Sequence, residues 1–335
     1  MITSSKEIQE DSSIDQSLRP QTFEEYIGQD QIKKNLSISI QAAQKRGEAL
    51  DHLLFYGPPG LGKTSLAYLI SKYLGSNLKV TSGPALEKAG DLASILTNIE
   101  AGDILFIDEI HRLSKTLEEI LYSAMEDFVL DIIVGKGPSA RTLRLDLPKF
   151  TLIGATTKFG SLSGPFRSRF GNIYSFDFYT QDHIIDILKR SSNILSVKAD
   201  SPEVYQHIAI RSRHTPRVAN RLLKRVRDYA EVHNNGIINR SVIDETFELL
   251  DVDAQGLESG DRKILETIMN IFNGGPVGLS TLAASTAEET VTIEEIYEPF
   301  LMRQGLLQRT PKGRMVTKLC YEYFDKLPPT NQTLT

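Results

Sequence analysis

Residues 52–64 read His-Leu-Leu-Phe-Tyr-Gly-Pro-Pro-Gly-Leu-Gly-Lys-Thr, and this stretch narrows the possible folds more than any other in the chain. An apolar strand from Leu53 to Tyr56 runs into a glycine loop, and the loop runs into a helix with apolar residues at Leu66, Leu69, Ile70, Tyr73 and Leu74. Gly57, Gly62, Lys63 and Thr64 fit every fixed position of G-x-x-x-x-G-K-[ST]. The chemistry needs that spacing. Glycines let backbone N–H groups close around phosphate oxygens where a Cβ would block them, and the helix that follows turns its positive end toward the anion. The reading is a nucleotide site with Gly60, Leu61, Gly62, Lys63, Thr64 and Ser65 around the phosphates. Lys63 reaches the β- and γ-phosphates and the Thr64 hydroxyl holds Mg²⁺.

The second half of such a site lies downstream. Ile104-Leu105-Phe106-Ile107 is a buried-strand run that ends in Asp108-Glu109. Beside a phosphate loop, Asp108 can hold the Mg²⁺ water shell and Glu109 can polarise the attacking water. A further apolar strand, Thr151 to Thr157, ends in hydroxyls and could lay Thr157 beside the γ-phosphate. Phe166-Arg167-Ser168-Arg169-Phe170 reads as a loop. Paired loop arginines are usually surface residues, but in a ring of ATPases one of them could reach the neighbour's γ-phosphate.

Strands and helices alternate from about residue 29 to residue 157, which predicts a doubly wound α/β parallel sheet. Interrupting it, an apolar ribbon Val129–Val134 turns at Gly135-Lys136-Gly137-Pro138 and returns with Leu143, Leu145 and Leu147 alternating against Arg144 and Asp146. This hairpin either lies on the core or projects and offers Leu143 and Leu145 to a partner. Residues 1–17 are polar and read as a disordered arm, and 18–179 as the large ATPase domain. Residues 180–250 have helical periodicity with no strand signal and read as a small helical domain. Residues 251–256 read as a linker. From 253 to 335, three helical stretches and a hairpin around Pro311-Lys312-Gly313 read as a winged helix, a helix-turn-helix variant that binds DNA.

Two segments are basic. Arg211, Arg213, Arg217, Arg221, Lys224, Arg225 and Arg227 fall within seventeen residues that hold no acid before Asp228. They fit a nucleic-acid surface, a solvated helix face, or a helix start whose Arg217 faces the nucleotide. Arg303, Arg309, Lys312, Arg314 and Lys318 surround the second hairpin. Formal net charge is −5, so any contact with nucleic acid is a local patch and not a coat. The single Cys320 rules out an intrachain disulfide framework, and no long apolar run is present, which together predict a cytoplasmic protein.

Taken together, Leu18-Arg19-Pro20, the phosphate loop, Asp108-Glu109-Ile110-His111-Arg112-Leu113, Gly154-Ala155-Thr156-Thr157, Thr215-Pro216-Arg217 and Arg309-Thr310-Pro311-Lys312-Gly313-Arg314 resemble the RuvB family of Holliday-junction branch-migration motors. This is a branch of the AAA+ ATPases, and the resemblance covers residues 18–325. It implies an ATP- and Mg²⁺-dependent motor on duplex DNA in recombination and repair. It further implies a homo-oligomeric ring, a hexamer by family inference, with RuvA docking on the 129–147 hairpin and RuvC a possible partner. By resemblance, Leu18 and Arg19 flank the adenine, Thr157 is the sensor-1 hydroxyl, and Arg169 is the finger that completes the neighbour's site. Arg217 is sensor 2, while Tyr179, Glu126, Asp127 and Phe128 lie on the nucleotide side. Arg309, Lys312 and Arg314 are the DNA-contacting wing, and Leu143 and Leu145 the partner contacts. The chain departs from the family pattern at His214, where glycine is usual, and at Ser65 and Lys312, which keep a hydroxyl and a charge. The Leu-Arg-Pro start and the Ser-Arg-Phe loop also occur in clamp-loader subunits, and a DNA-binding regulator switched by ATP is a second rival.

Overall fold

The computed structural model describes residues 17–134 and 141–328. The expected disordered arm (all but Ser17), the first hairpin's turn at 135–138 and the final tail from Pro329 lie outside those residues. Residues 19–178 form one unit, and 179–328 form a second together with Leu18.

In the first unit, β1 (Leu53–Tyr56), β2 (Leu78–Ser82), β3 (Ile104–Asp108), β6 (Thr151–Thr156) and β7 (Asn172–Ser175) make a five-stranded sheet. Its order is β2-β3-β6-β1-β7, and every pairing is parallel. Order explains composition. The three inner strands are apolar at nearly every position because helices cover both faces, and Leu53, Phe55, Phe106 and Leu152 are fully buried. The edge strand β2 tolerates Lys79 and an exposed Val80. Strand β7 was not foreseen, since Asn172-Ile173-Tyr174-Ser175 carries little apolar signal at the opposite edge.

His52, just before β1, shows how the sheet constrains a titratable group. Its Nδ1 accepts the Leu152 N–H at 2.8 Å, so Nε2 carries the proton and donates to the Met125 carbonyl at 3.0 Å. Burial pushes its pKa down, against the smaller raising effects of the Met125 carbonyl and Asp51. The imidazole is therefore neutral in the fold but titrates near its ordinary value, about 6.5, in the unfolded chain. Stability from this group is present above that pH and is lost as pH falls through it toward the folded pKa. Hydrogen exchange at the β6 amides should report a smaller opening free energy at pH 5.5 than at pH 7.5. His52→Gln should show less of that pH-dependent loss, and an equal loss would assign the effect to other groups.

The ribbon is an antiparallel pair, β4 (Val129–Val134) and β5 (Arg141–Asp146), with Leu130 opposite Leu145 and Leu143 opposite Ile132. The two leucines foreseen as a shared partner contact have different surroundings. Leu145 packs against the main core cluster beside buried Leu130, whereas Leu143 is 51% exposed. Leu145→Asp would place a charge against that core and should destabilise this unit by roughly 2–5 kcal/mol. Leu143→Asp should stay within about 0.5 kcal/mol of the parent. Chemical denaturation of each variant, followed by a probe in this unit, checks the split.

The second unit begins with helices Gln181–Ile194, Glu203–Ile210, Pro216–His233 and Arg240–Leu249. Contrary to expectation it also holds two short strands, β8 (Lys198–Ala199) and β9 (Ile237–Ile238), paired in parallel. Two residues per strand are too few for any periodicity to reveal. Helices Ser259–Asn270 and Leu279–Thr286 follow. A helical run from Thr290 to Arg303 comes next and passes through a π turn at Ile293–Tyr297. The wing is β10 (Leu307–Thr310) paired with β11 (Gly313–Val316), and a closing helix spans Lys318–Tyr323. This is the expected winged helix, with its own core around Leu265, Leu301 and Val316.

The segment read as a linker is an ordered turn. The Asp253 carboxylate accepts the Gln255 and Leu257 N–H groups at 2.8 and 2.9 Å, and its carbonyl accepts Arg211 Nε at 3.1 Å. The basic run does not form one continuous exposed face. Arg211, Arg213 and Lys224 are buried. Arg213 pairs with Asp261 and Glu258, and Arg225 and Arg227 pair with Asp228. Arg217 alone among the first three arginines is exposed, at the first turn of its helix.

Candidate active site

The phosphate loop is shaped by residues that a motif cannot show. Gly57 has φ 145°, and a Cβ there would sit 2.5 Å from the Phe176 carbonyl. Gly62 has φ 93°, and its Cβ would meet the Tyr26 hydroxyl at 2.6 Å. Tyr26 hydrogen-bonds the Gly62 carbonyl at 3.2 Å, so it braces the loop from outside. Lys63 is buried, and its Nζ donates to the Gly57 and Pro58 carbonyls at 2.8 Å each. The helix Lys63–Leu74 starts with no side-chain cap, so its first-turn amides, including those of Thr64 and Ser65, face the loop's concavity.

Sheet order brings the other half to the same edge. With β6 between β1 and β3, the carboxyl ends of all three strands adjoin, the position where open α/β sheets bind ligands. Asp108 closes β3, and its Oδ1 accepts the Glu109 N–H at 2.9 Å. Glu109 has a left-handed backbone, φ 46°, and its carboxylate lies 3.3 Å from Arg112. Thr156 is the last residue of β6, and its Oγ1 is held by His111 Nδ1 at 3.0 Å and by the Lys158 N–H at 2.9 Å. Thr157 is one residue beyond the strand. Its Oγ1 is buried with no hydrogen-bond partner among the described residues. Buried hydroxyls are rarely left unpaired, so this atom fits a residue that waits for a ligand. Together with the Cβ-free cradle, it makes these residues suit a bound nucleotide.

Models of three domains match the chain in succession. They are the Holliday junction DNA helicase RuvB P-loop domain at residues 18–176, the RuvB AAA lid domain at 179–253 and the RuvB C-terminal winged helix domain at 254–325. The chain belongs to the RuvB family. A curated relative, the Holliday junction branch migration complex subunit RuvB of Dehalococcoides mccartyi, is 56% identical over 322 residues, covering 96% of this chain and 92% of its own. Among solved structures, the Thermotoga maritima RuvB Holliday junction branch migration motor matches with a TM-score of 0.86 at 50% identity, covering 93% of this chain and 100% of its own. A mutant of the same Thermotoga protein gives a TM-score of 0.87 at 50% identity, with 93% and 99% covered.

The remaining residues that RuvB family membership points to fall into distinct surroundings. Arg19 stacks its guanidinium 4.7 Å from the Tyr68 ring centroid in the first unit. In the second unit Leu18 is buried and its carbonyl accepts Arg190 Nη1 at 2.9 Å. Tyr179, also buried, donates its N–H to the His214 carbonyl at 3.1 Å. His214 Nδ1 in turn donates to the Tyr179 carbonyl at 3.1 Å. The backbone of His214 has φ 56°, the conformation that glycine adopts without strain, so the departure from the RuvB pattern falls on a left-handed residue.

Two further groups differ in exposure among themselves. Glu126 and Asp127 are exposed, but the Glu126 carboxylate pairs with Arg169 Nη2 at 2.9 Å. Phe128 is partly buried, its ring packs with His52 and Phe150, and its carbonyl is taken by the Leu147 N–H at 2.7 Å. In the wing, Arg314 is no outward phosphate contact. It is 8% exposed and forms a bidentate pair with buried Glu298 plus a 3.3 Å contact to Glu294. Arg314 lies opposite Arg309 on β10, and both reach Glu294 and Glu298, but Arg314 makes the close bidentate pair with the buried Glu298. Arg309 is half exposed and pairs with Glu294 at 2.6 Å, and Lys312 is exposed at the tip. Sequence reasoning missed Tyr26, Tyr122 and His111 as supports: the two tyrosines lie in no spaced motif, and His111, though inside the Asp108–Leu113 run, was given no role there.

Proposed function

We propose that this chain is an ATP-driven motor that moves duplex DNA and drives branch migration of Holliday junctions. It acts as a homo-oligomeric ring, six-membered by family inference, with RuvA docked on the exposed face of the 129–147 hairpin at Leu143. RuvC is a further candidate partner. Its parts are an ATPase domain at 18–179, a lid at 180–250 and a winged-helix head at 253–335. The observation that carries the reading is the intact Asp108-Glu109 pair on the same sheet edge as the phosphate loop, with the orphaned Thr157 hydroxyl between their strands.

Lys63 stabilises charge that grows on the transferred phosphoryl group, and Glu109 orients and polarises the attacking water. Thr157 donates its hydroxyl to a γ-phosphate oxygen and thereby gains the partner it lacks. Among the described residues no group of three His, Cys, Asp or Glu could hold a metal. Mg²⁺ takes few protein ligands, and Thr64 and Asp108 would hold it. When bound, Mg²⁺ neutralises the β- and γ-oxygens. Arg169 acts on the neighbouring subunit's nucleotide, and Arg217 and Tyr179 report nucleotide state to the lid. Arg309 and Lys312 follow the DNA backbone without reading bases, as a motor on any sequence requires.

The test is ATP-dependent dissociation of a synthetic four-way junction, with and without RuvA. Dissociation that needs both ATP and RuvA is expected, and a binding-only protein with no turnover would overturn the motor reading. Lys63→Ala should abolish turnover and weaken nucleotide binding; near-parent hydrolysis by the pure variant would remove the lysine from the site. A clamp-loader role is disfavoured by the winged head. A mere ATP switch is disfavoured by the complete hydrolytic pair.

A further inference from the structure

Arg169 does not hang free at the end of its loop. Its side chain is only 26% exposed. Nη1 donates to the Pro165 carbonyl at 2.6 Å, and Nη2 pairs with Glu126 at 2.9 Å. The guanidinium carbon lies 4.4 Å from the Tyr122 ring centroid. Nε is buried with no hydrogen-bond partner among the described residues. The ring is thus the wall against which the planar cation is set.

The Tyr122 ring is itself fixed by a closed set of oxygens. Its hydroxyl lies 2.8 Å from Ser163 Oγ and 3.2 Å from Glu118 Oε2, and Ser163 Oγ donates to the same Glu118 oxygen at 2.9 Å. Glu118 is 7% exposed, and its Oε2 serves both hydroxyls. Ser163 also accepts the Phe166 N–H at 3.3 Å and caps the short helix Gly164–Arg167 that leads into Arg169. Glu118, Tyr122 and Glu126 sit at i, i+4 and i+8 of the helix Lys115–Glu126, along one face. One helix face therefore anchors the loop, supports the ring and holds the guanidinium.

We propose that Tyr122, locked by Glu118 and Ser163, is a positioning residue that aims Arg169 at the adjoining subunit's phosphate, with Glu126 holding the guanidinium until phosphate replaces it. This rests on the reading of Arg169 as a finger that acts across the subunit interface. A cation set on an aromatic face gains directional attraction that strengthens as water is excluded, so the arginine is pre-organised and needs no search when the ring assembles.

The experiment uses full-length protein and steady-state ATPase, with three series. Tyr122→Leu removes the wall, and kcat should fall on the order of tenfold while nucleotide binding to the variant's own site is unchanged. Mixing it with Lys63→Ala should recover activity, as is expected of mixing Arg169→Ala with Lys63→Ala. Tyr122→Leu on top of Arg169→Ala should cost nothing more, because both act through one group. Tyr122→Phe keeps the wall and frees the ring, and should lose about two- to tenfold, the scale of one hydrogen bond; it serves alone if Tyr122→Leu does not fold. Turnover within twofold of the parent in every foldable Tyr122 variant, or a loss additive with Arg169→Ala, overturns the proposal. If mixing never rescues Arg169→Ala, the cross-subunit reading fails. Tyr122 positioning then still stands or falls on the additivity measurement.

Discussion

Arg169→Ala is expected to reduce ATP turnover by about 10³-fold or more, the usual contribution of an arginine finger, while ATP still binds. The residue lies on the loop after β6, with its guanidinium gathered onto Tyr122, Glu126 and Pro165. It makes no bond to its own phosphate loop, whose lysine is held by Gly57 and Pro58. Its loss removes charge stabilisation from a site that another subunit provides. Mixed with Lys63→Ala, the variant should regain part of the activity, since some interfaces then join an intact phosphate loop to an intact arginine. The check is ATPase rate across a series of mixing ratios. A flat, inactive series would leave Arg169 without a role across the interface, and a near-parent rate for the pure variant would leave it without a catalytic one.

Arg314→Ala is expected to destabilise the winged-helix domain by about 3–5 kcal/mol, because it strips the partner from a buried carboxylate. Glu298 is 3% exposed, and the Arg314 guanidinium satisfies both its oxygens. Its other acid, Glu294, is shared with Arg309. Replacing the pair with apolar residues of similar size, Arg314→Met with Glu298→Leu, should recover much of the loss. Lys312→Ala and Arg309→Ala should instead leave the melting behaviour near the parent's. Each should weaken binding to unrelated duplexes about equally and lower the salt slope by roughly one unit. Thermal unfolding and a salt titration on two duplexes separate the classes. Were Arg314→Ala to melt like the parent and lose only DNA affinity, the buried-pair account would be wrong and the arginine would belong to the DNA surface.

The motifs were legible because they are local. Phosphate binding needs fixed glycines and a lysine in eight consecutive residues, and the acid pair must close an apolar strand, so spacing alone located Lys63, Thr64, Asp108 and Glu109. Helical and strand periodicity likewise yielded the parallel sheet, the helical lid and the winged head, though not the short strands β7, β8 and β9. What spacing could not carry is direction. Alternation on β5 put Leu143 and Leu145 on one face, but only packing shows Leu145 held against the core and Leu143 outside it. Five basic residues around the second hairpin looked equivalent. Yet acids from a helical run sixteen and twenty residues earlier draw Arg314 inward, while Lys312 stays in water.

The supports of the site were hidden for the same reason. Tyr26 braces a loop thirty-six residues away, and Tyr122 meets Ser163 across forty-one. Such partners share no period with the residues they hold. The sequence by itself determined which chemical groups the chain brings to a nucleotide, because that chemistry is written in short-range backbone geometry. Only the tertiary structure decided which charges face solvent and which are consumed inside, because a side chain's partners are set by the elements packed against it, and burial makes an unpartnered charge too costly to keep.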